Sequence, residues 1–446
     1  RPLPLWQRTE VQALLRRKAG RRNARSMTPA RAGRRPLGLV AMNRVGGLLR
    51  ALGLPLVGLD EASLLTRASQ NTHLDDFGDT GFREPLRRLL AALEQEAQLT
   101  LLGRMIARND VLRLLENRLH IIDTLKRHPE IEERPIQRPI FIVGLPRTGT
   151  TILHELLAQD PANRVPMSWE AMYPWPPPER ESYESDPRIA QVEKHFQGVD
   201  RIMPGFRQMH RMGAQLPQEC VALMAHEFAT VLFHTIHRVP SYQAWVDSMD
   251  LRPVYASHRR QLQYLAWRCP AERWVLKSPQ HLWTLDALLA IYPDARIVQT
   301  HRDPVRVLAS LCSLITLLRS MASDAIDPVE IGSDWSQRLA NGLSATMQVR
   351  ASGLLGQDQV FDMHLSEFLQ DEIGMIRRIY TQFELKLSDE AETRMRRYLA
   401  GNPGDKHGAH RYTFALSGLD LEAERSRFAA YQERFGIASE PTSAVD

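Results

Sequence analysis

The residues best suited to chemistry lie in a short glycine-rich stretch near the middle of the chain. Its flexible and polar members are Gly144, Arg147, Thr148, Gly149, Thr150 and Thr151. In a glycine loop that leads into a helix, free backbone N–H groups and the positive end of the helix dipole favour a bound phosphate. The stretch therefore predicts a site for a nucleotide or another phosphate-bearing ligand.

The stretch departs from the loop of nucleotide triphosphatases at one position. That loop reads G-x-x-x-x-G-K-[ST], and Thr150 stands where the lysine is required. The lysine contacts the β- and γ-phosphates, and the hydroxyl after it holds Mg²⁺. Its absence argues against hydrolysis of ATP or GTP. For this stretch taken alone, an ordinary Gly/Pro turn between a strand and a helix is the alternative explanation.

Two further cations follow apolar runs of strand length. Lys277 stands near the end of the run 273–278, and Arg302 follows the run 294–301. In open α/β sheets the ligand crevice lies at the carboxyl ends of the strands, where the loop of Arg147 is also expected. Three cations at one edge of a sheet, without an Asp-rich Mg²⁺ site, favour a dianionic ligand held without a metal.

Carboxylates suited to proton transfer are few. Glu170 is the one ionisable group in the aromatic and proline-rich segment 167–178. Apolar surroundings raise the pKa of a carboxyl group, which suits a general base or acid, but a solvated loop is an equal alternative. Glu219 is predicted only to favour the positive end of a long helix over 216–237, whose histidines lack metal-ligand spacing.

The elements that must position these residues predict an α/β fold. Residues 140–143 have the length and β-branched content of a buried parallel strand, and a helical stripe follows the loop. The runs 273–278, 294–301 and 359–363 predict three more strands, each followed by a helix. We therefore predict a three-layer P-loop-like domain over 136–446, with a central parallel sheet flanked by helices.

An N-terminal helical extension precedes this domain. Leucines at helical spacing predict a helical cap over 66–135. Residues 1–65 are predicted to be a basic, poorly ordered segment; residues 1–35 alone carry eleven Arg and Lys against one Glu. That tract could contact an anionic surface weakly. The remainder has a net charge of about −5, so we expect no nucleic-acid partner.

Cysteine use and hydropathy indicate a cytoplasmic protein. The three cysteines are far apart and odd in number, with no disulfide framework and no metal spacing. No apolar run is long enough to span a bilayer.

The motifs together resemble those of sulfotransferases that use 3′-phosphoadenosine 5′-phosphosulfate (PAPS), and most closely a bacterial branch of that family. The stretch from Pro146 to Thr151 resembles the 5′-phosphosulfate loop. Arg302 and Ser310 look like the 3′-phosphate motif, and Lys277 matches the catalytic lysine in its distance from Arg302. The residues Lys406, His407 and Gly408 resemble a late basic loop of the family that also contacts the 3′-phosphate.

The resemblance implies transfer of a sulfuryl group from PAPS to a hydroxyl or amine of a small-molecule, lipid or carbohydrate acceptor, without a metal. Arg147 and Lys277 would stabilise the transferred charge. The base would be Glu170 or His281, and we favour Glu170, because the position two residues after the lysine holds a proline instead of the histidine of the cytosolic branch. The implied nucleotide contacts are Arg147, Thr148, Gly149, Thr150, Thr151, Arg302, Ser310, Lys406, His407 and Gly408.

Two other functions stay open at this point. One is a P-loop kinase or ATPase, which the missing lysine disfavours. The other is a non-catalytic nucleotide-binding protein of the same fold, which the intact cations disfavour.

Overall fold

The structure, a computed structural model, describes residues 37–52, 56–202, 211–402 and 414–441. The predicted late loop of Lys406, His407 and Gly408 lies outside these residues. The basic tract 1–35 lies outside them as well.

A five-stranded parallel sheet forms the centre of the molecule, in the order β2-β3-β1-β4-β5. The strands are β1 Ile140–Gly144, β2 Asn163–Arg164, β3 Arg273–Lys277, β4 Arg296–His301 and β5 Val360–His364. All four neighbouring pairs are parallel. The predicted parallel sheet is confirmed, and β2 was missed because two residues are too few to show a pattern.

Helices flank the sheet and precede it. Among the described residues, the first eleven helices are α1 Leu37–Ala51, α2 Glu61–Thr72, α3 Arg83–Gln95, α4 Leu101–Arg127, α5 Thr150–Leu157, α6 Ser168–Met172, α7 Pro187–Ile202, α8 Cys220–Met224, α9 Leu232–Ile236, α10 Pro240–Ser248 and α11 Arg252–Ala266. The later ones are α12 Leu285–Ile291, α13 Pro304–Ser320, α14 Pro328–Ala351, α15 Leu365–Phe368, α16 Glu372–Gln382, α17 Asp389–Gly401 and α18 Leu421–Phe435.

The two faces of the sheet bury different clusters, which makes three layers. Successive residues of a strand point to opposite faces. Phe141 and Val143 of β1 pack with residues of α11 to α14 and α18. Ile140 and Ile142 pack with residues of α5, α16 and α17. The predicted three-layer arrangement is therefore confirmed, with the core on both sides of β1.

The N-terminal helices form a third apolar cluster with the segment around α8 to α10. Within that region Arg118 of α4 is buried and donates to Glu227 at 2.7 Å. The segment 66–135 is helical, but α2 begins at Glu61, and α1 lies within the segment predicted to be poorly ordered. The proposed division into domains stays a prediction.

The prediction of one long helix over 216–237 is wrong. The structure has α8, a 3-10 turn over Ala225–Glu227 and α9. Phe228 adopts a left-handed backbone conformation, with φ of 53°, and this ends the first helical stretch. Its fully buried ring packs against Phe82 and Phe233. Tertiary packing therefore overrides the helical pattern here, and Glu219 comes directly before α8.

Candidate active site

The loop between β1 and α5 depends on its two glycines. A Cβ atom on Gly144 would lie 2.0 Å from Oγ1 of Thr300 on β4, so only glycine fits there. Gly149 has φ of 84° and caps α5, a conformation that glycine adopts without strain. Arg147 between them is also left-handed, with φ of 67°. The loop therefore turns tightly, and the first-turn N–H groups of α5 lie at its end.

Thr148 braces this loop against the sheet. Its hydroxyl donates to the carbonyl oxygen of Leu145 at 2.6 Å, and it lies 2.6 Å from the Thr300 hydroxyl. The side chain is completely buried. This geometry favours a structural role for the Thr148 hydroxyl over the predicted contact with a ligand.

Lys277 lies at the end of β3 and points at the start of α5. Its Nζ atom donates to Oε1 of Glu219 at 2.7 Å and to Oγ1 of Thr151 at 3.4 Å. The lysine is buried, whereas the side chain of Glu219 is 27% exposed. The structure thus brings the predicted lysine to the predicted loop and adds the carboxylate of Glu219, for which the sequence predicts only a place at a helix end.

His154 of α5 lies behind the lysine. Burial, and then the positive charge of Lys277, lowers its pKa to about 3, so the ring is neutral. Its Nε2 atom lies 3.1 Å from the carbonyl oxygen of Val275 on β3, which fixes that nitrogen as the protonated one. His154 ties α5 to β3 directly under Lys277.

The second cation cluster forms where β4 meets α13. Nε of Arg147 donates to the hydroxyl of Ser310 at 3.2 Å. The guanidinium of Arg302 donates to the carbonyl oxygen of Arg147 at 3.1 Å. The loop, Arg302 and Ser310 therefore meet, as the predicted spacing requires.

A carboxylate of the C-terminal segment already contacts this cluster. Nε of Arg302 donates to Oε1 of Glu440, and Nη2 of Arg302 donates to Oε2, both at 2.8 Å. The backbone N–H of Glu440 donates to Oδ2 of Asp303 at 2.7 Å. Arg425 of α18 donates to the backbone carbonyl oxygen of Glu440 at 2.8 Å. The sequence carries no local signal for this contact, since 138 residues separate the two partners.

Glu170 is held in a closed network. Its side chain is fully buried, and one oxygen forms an ion pair with Arg164. The other oxygen accepts from the backbone N–H of Met167 and from the hydroxyl of Tyr183, both at 2.9 Å. Both oxygens are satisfied inside the protein, so this geometry argues against the prediction that Glu170 is the general base.

His281 is also buried, in the 3-10 turn Pro279–Leu282 that follows β3. Its Nδ1 atom lies 2.7 Å from the hydroxyl of Tyr255, and its ring meets Phe141 edge-on at 5.1 Å. Burial lowers its pKa well below the usual value. The imidazole is neutral but enclosed by aromatic rings, which argues against a role as the base.

Comparison with known proteins identifies the family. Residues 139–389, more than half of the chain, match the family model described as "Sulfotransferase family". The chain belongs to the sulfotransferase family. The match covers the loop, Lys277, Arg302 and Ser310.

Two crystal structures extend this similarity. Sulfotransferase STF1 from Mycobacterium tuberculosis H37Rv is 37% identical, with a TM-score of 0.75 over 83% of this chain and 98% of that one. Sulfotransferase STF9 from Mycobacterium avium is 29% identical, with a TM-score of 0.80 over 86% of this chain and 98% of that one.

A relative whose name includes its acceptor is less similar in sequence. The omega-hydroxy-beta-dihydromenaquinone-9 sulfotransferase Stf3 of Mycobacterium bovis is 26% identical over 302 residues, which are 62% of this chain and 70% of Stf3. The predicted enzyme class and fold are confirmed. The kinase and the non-catalytic alternatives are not favoured.

Proposed function

We propose that this sulfotransferase takes its sulfuryl group from PAPS and transfers it to a hydroxyl group of a lipid. The observation that carries the proposal is the contact of Lys277 with Thr151 and Glu219 at the mouth of the loop. This places a cation, a helix N-terminus and a partly exposed carboxylate around one point. These are the groups that transfer of an anionic group to a hydroxyl requires.

The two anion sites fit the two ends of PAPS. The loop N–H groups, Thr150 and Thr151 would hold the 5′-phosphosulfate, and Arg302 with Ser310 would hold the 3′-phosphate, where the Arg147 guanidinium also lies. The Glu440 carboxylate on Arg302 supports this assignment, because a bidentate anion already matches the guanidinium there. The sequence does not contain the motif G-x-x-x-x-G-K-[ST] that binds nucleoside triphosphates.

The reaction breaks the bond from sulfur to the 5′-phosphate oxygen as a bond forms from the acceptor oxygen to sulfur. The phosphate keeps the electron pair of the broken bond. Lys277 would stabilise the charge that develops on that oxygen and on the sulfuryl group. Glu219 would accept the proton of the attacking hydroxyl.

Glu219 is the better placed carboxylate for that step. It is partly exposed, lies 2.7 Å from the lysine and precedes α8. Glu170 and His281 are both fully buried.

The lipid acceptor rests on the named relative. Stf3 is named for a menaquinone that carries a terminal hydroxyl. An apolar chain bearing one hydroxyl is consistent with this enzyme class. Small-molecule, amine and carbohydrate acceptors become outcomes of the test.

The test has two arms, both on the purified chain. Calorimetry should show tighter binding of 3′-phosphoadenosine 5′-phosphate than of ATP; equal or tighter binding of ATP would contradict the assigned donor. Labelled PAPS should then transfer sulfur to an isoprenoid lipid with a terminal hydroxyl, and not to the same lipid without it. Transfer to a sugar or an amine alone would contradict the lipid acceptor while leaving the donor intact.

A further inference from the structure

Helix α1 presents an apolar stripe to solvent. Ala41, Val45, Leu48 and Leu52 recur at i, i+4, i+7 and i+11, the spacing of a single helix face. Val45, Leu48, Leu52 and the following Leu56 are between 54 and 74% exposed. The N–H of Leu52 bonds to the Leu48 carbonyl at 3.1 Å, so the helical path continues to the end of the stripe.

The opposite face of α1 is occupied by the protein itself. The side-chain oxygen of Asn43 accepts from the backbone N–H of Leu102 at 3.1 Å. A Cβ atom on Gly46 would lie 2.5 Å from Cβ of Leu101, so α1 sits close against the start of α4. Met42 and Leu49 are half-buried on this side. The side of α1 that carries Asn43 and Gly46 therefore packs on the protein, and the stripe faces solvent.

The sequence that contains this stripe is strongly basic. Between Glu10 and Asp60 the sequence contains no Asp or Glu, and residues 1–59 carry thirteen Arg and Lys. Their net charge is therefore +12, against +5 for the whole chain, so residues 60–446 have a net charge of −7. An anionic surface attracts the first part and repels the second.

We propose that α1 docks this sulfotransferase on an anionic lipid bilayer, with Val45, Leu48, Leu52 and Leu56 inserted among the lipids. An amphipathic helix binds a membrane surface when an apolar face is combined with basic residues, and clustered Arg and Lys attract anionic headgroups. None of the described helices is long and apolar enough to cross a bilayer, and the docking needs no crossing. The proposal does not depend on the acceptor, because α1 lies outside the matched family region of residues 139–389.

The stripe and the charge can be tested separately. The full chain is sedimented with vesicles of phosphatidylcholine alone or mixed with phosphatidylglycerol. We expect binding to the mixed vesicles only, weakened by added salt because screening shortens the reach of the charges. The double variant Leu48→Gln/Leu52→Gln should bind about tenfold more weakly or worse, since it removes exposed apolar area from the interface.

A matched control uses exposed leucines elsewhere. Leu354 and Leu369 are 62 and 58% exposed, and Leu354→Gln/Leu369→Gln should bind vesicles as the parent does. Both double variants replace exposed side chains, so thermal unfolding should confirm that they fold alike.

Three results would overturn the proposal. The first is absence of binding to the mixed vesicles. The second is binding that Leu48→Gln/Leu52→Gln leaves unchanged, which would assign it to the basic residues alone. The third is self-association in sedimentation velocity that the same variant abolishes, which would make the stripe an interface between two copies of the chain. Sulfur transfer to a dispersed acceptor, measured without vesicles, separates all three from a failure of the proposed activity.

Discussion

The Nζ atom of Lys277 lies 2.7 Å from Oε1 of Glu219, and this ion pair lies beside the start of α5, where the glycine loop ends. The lysine ends a buried strand, and the carboxylate precedes a short helix 58 residues earlier in the chain. The proposed cation for the leaving oxygen and the proposed base for the acceptor thus form an ion pair in the folded protein. Their separate roles can be resolved by substitution.

Lys277→Ala should lower kcat by about a hundred- to a thousandfold, the usual loss when one stabilising group for developing charge is removed. The fold should survive, because the freed carboxylate of Glu219 is partly exposed and can be hydrated. Rates of sulfur transfer from labelled PAPS, with thermal unfolding, would measure both effects. Lys386→Ala, at an exposed position, is the control. Parent-like turnover by folded Lys277→Ala would refute the assigned mechanism.

Glu219→Gln should lower kcat by about a hundredfold or more, because the amide cannot accept the acceptor's proton. Binding of 3′-phosphoadenosine 5′-phosphate should weaken little, since the substitution leaves the loop and Arg302 unchanged. Single-turnover rates and calorimetry separate the two quantities.

Glu170→Gln provides the contrast to that variant. It breaks a buried ion pair with Arg164, and removing one partner of such a pair costs about 3 kcal/mol or more of unfolding free energy. The turnover of the molecules that remain folded should be preserved. A large loss of kcat in folded Glu170→Gln, with normal turnover in Glu219→Gln, would return the base role to Glu170.

Glu440→Ala should tighten the binding of 3′-phosphoadenosine 5′-phosphate. The nucleotide then no longer competes with a carboxylate for Arg302. The side chain of Glu440 is 35% exposed, so the pair contributes about 0.5–1 kcal/mol, or a two- to fivefold change in Kd. Calorimetry on Glu440→Ala and on Glu433→Ala, an exposed carboxylate of α18, measures it. Weaker binding by Glu440→Ala would mean that Glu440 supports the site instead of competing for it.

Stability should fall as the pH drops below about 6.5, the usual pKa of histidine. Burial lowers the pKa of His154 and His258 to about 3 and that of His226 and His237 to about 4. The folded state stays neutral at these positions while the unfolded chain binds protons, so stability is complete above pH 6.5. Between pH 6.5 and the pKa in the folded state, each of these histidines lowers the free energy of unfolding by up to about 1.4 kcal/mol per pH unit.

Urea unfolding at about pH 7.5 and pH 5 would show this loss. His258→Gln should reduce the difference between the two pH values by about 2 kcal/mol. His73→Asn, at an exposed position, provides the comparison. A difference that His258→Gln leaves unchanged would contradict this origin of the acid sensitivity.

The sheet and the cationic half of the site could be predicted because they depend on local patterns. A buried parallel strand is a short apolar run, and its end is the ligand edge, so Lys277 and Arg302 could be placed there from the sequence alone. The glycine loop carries its own backbone requirement at Gly144 and Gly149.

The acidic half could not be predicted, because it depends on tertiary contacts. Glu170 seemed available until the fold placed Arg164 and Tyr183 on its two oxygens. The sequence places Glu219 at the start of one long helix, whereas the left-handed Phe228 divides that segment into short pieces. A helical pattern in one segment does not indicate which distant side chain will pack against it.

Under the proposed donor assignment, the contact of Glu440 with Arg302 couples binding of the donor to the position of the segment around Glu440. If the 3′-phosphate binds Arg302 as proposed, it competes with the Glu440 carboxylate for the same guanidinium N–H groups, and each weakens the binding of the other by the same factor. Loading the enzyme should therefore release the backbone N–H of Glu440 from Asp303 and speed its exchange with solvent deuterium. Exchange at Glu440 would then report nucleotide binding without a label on either substrate.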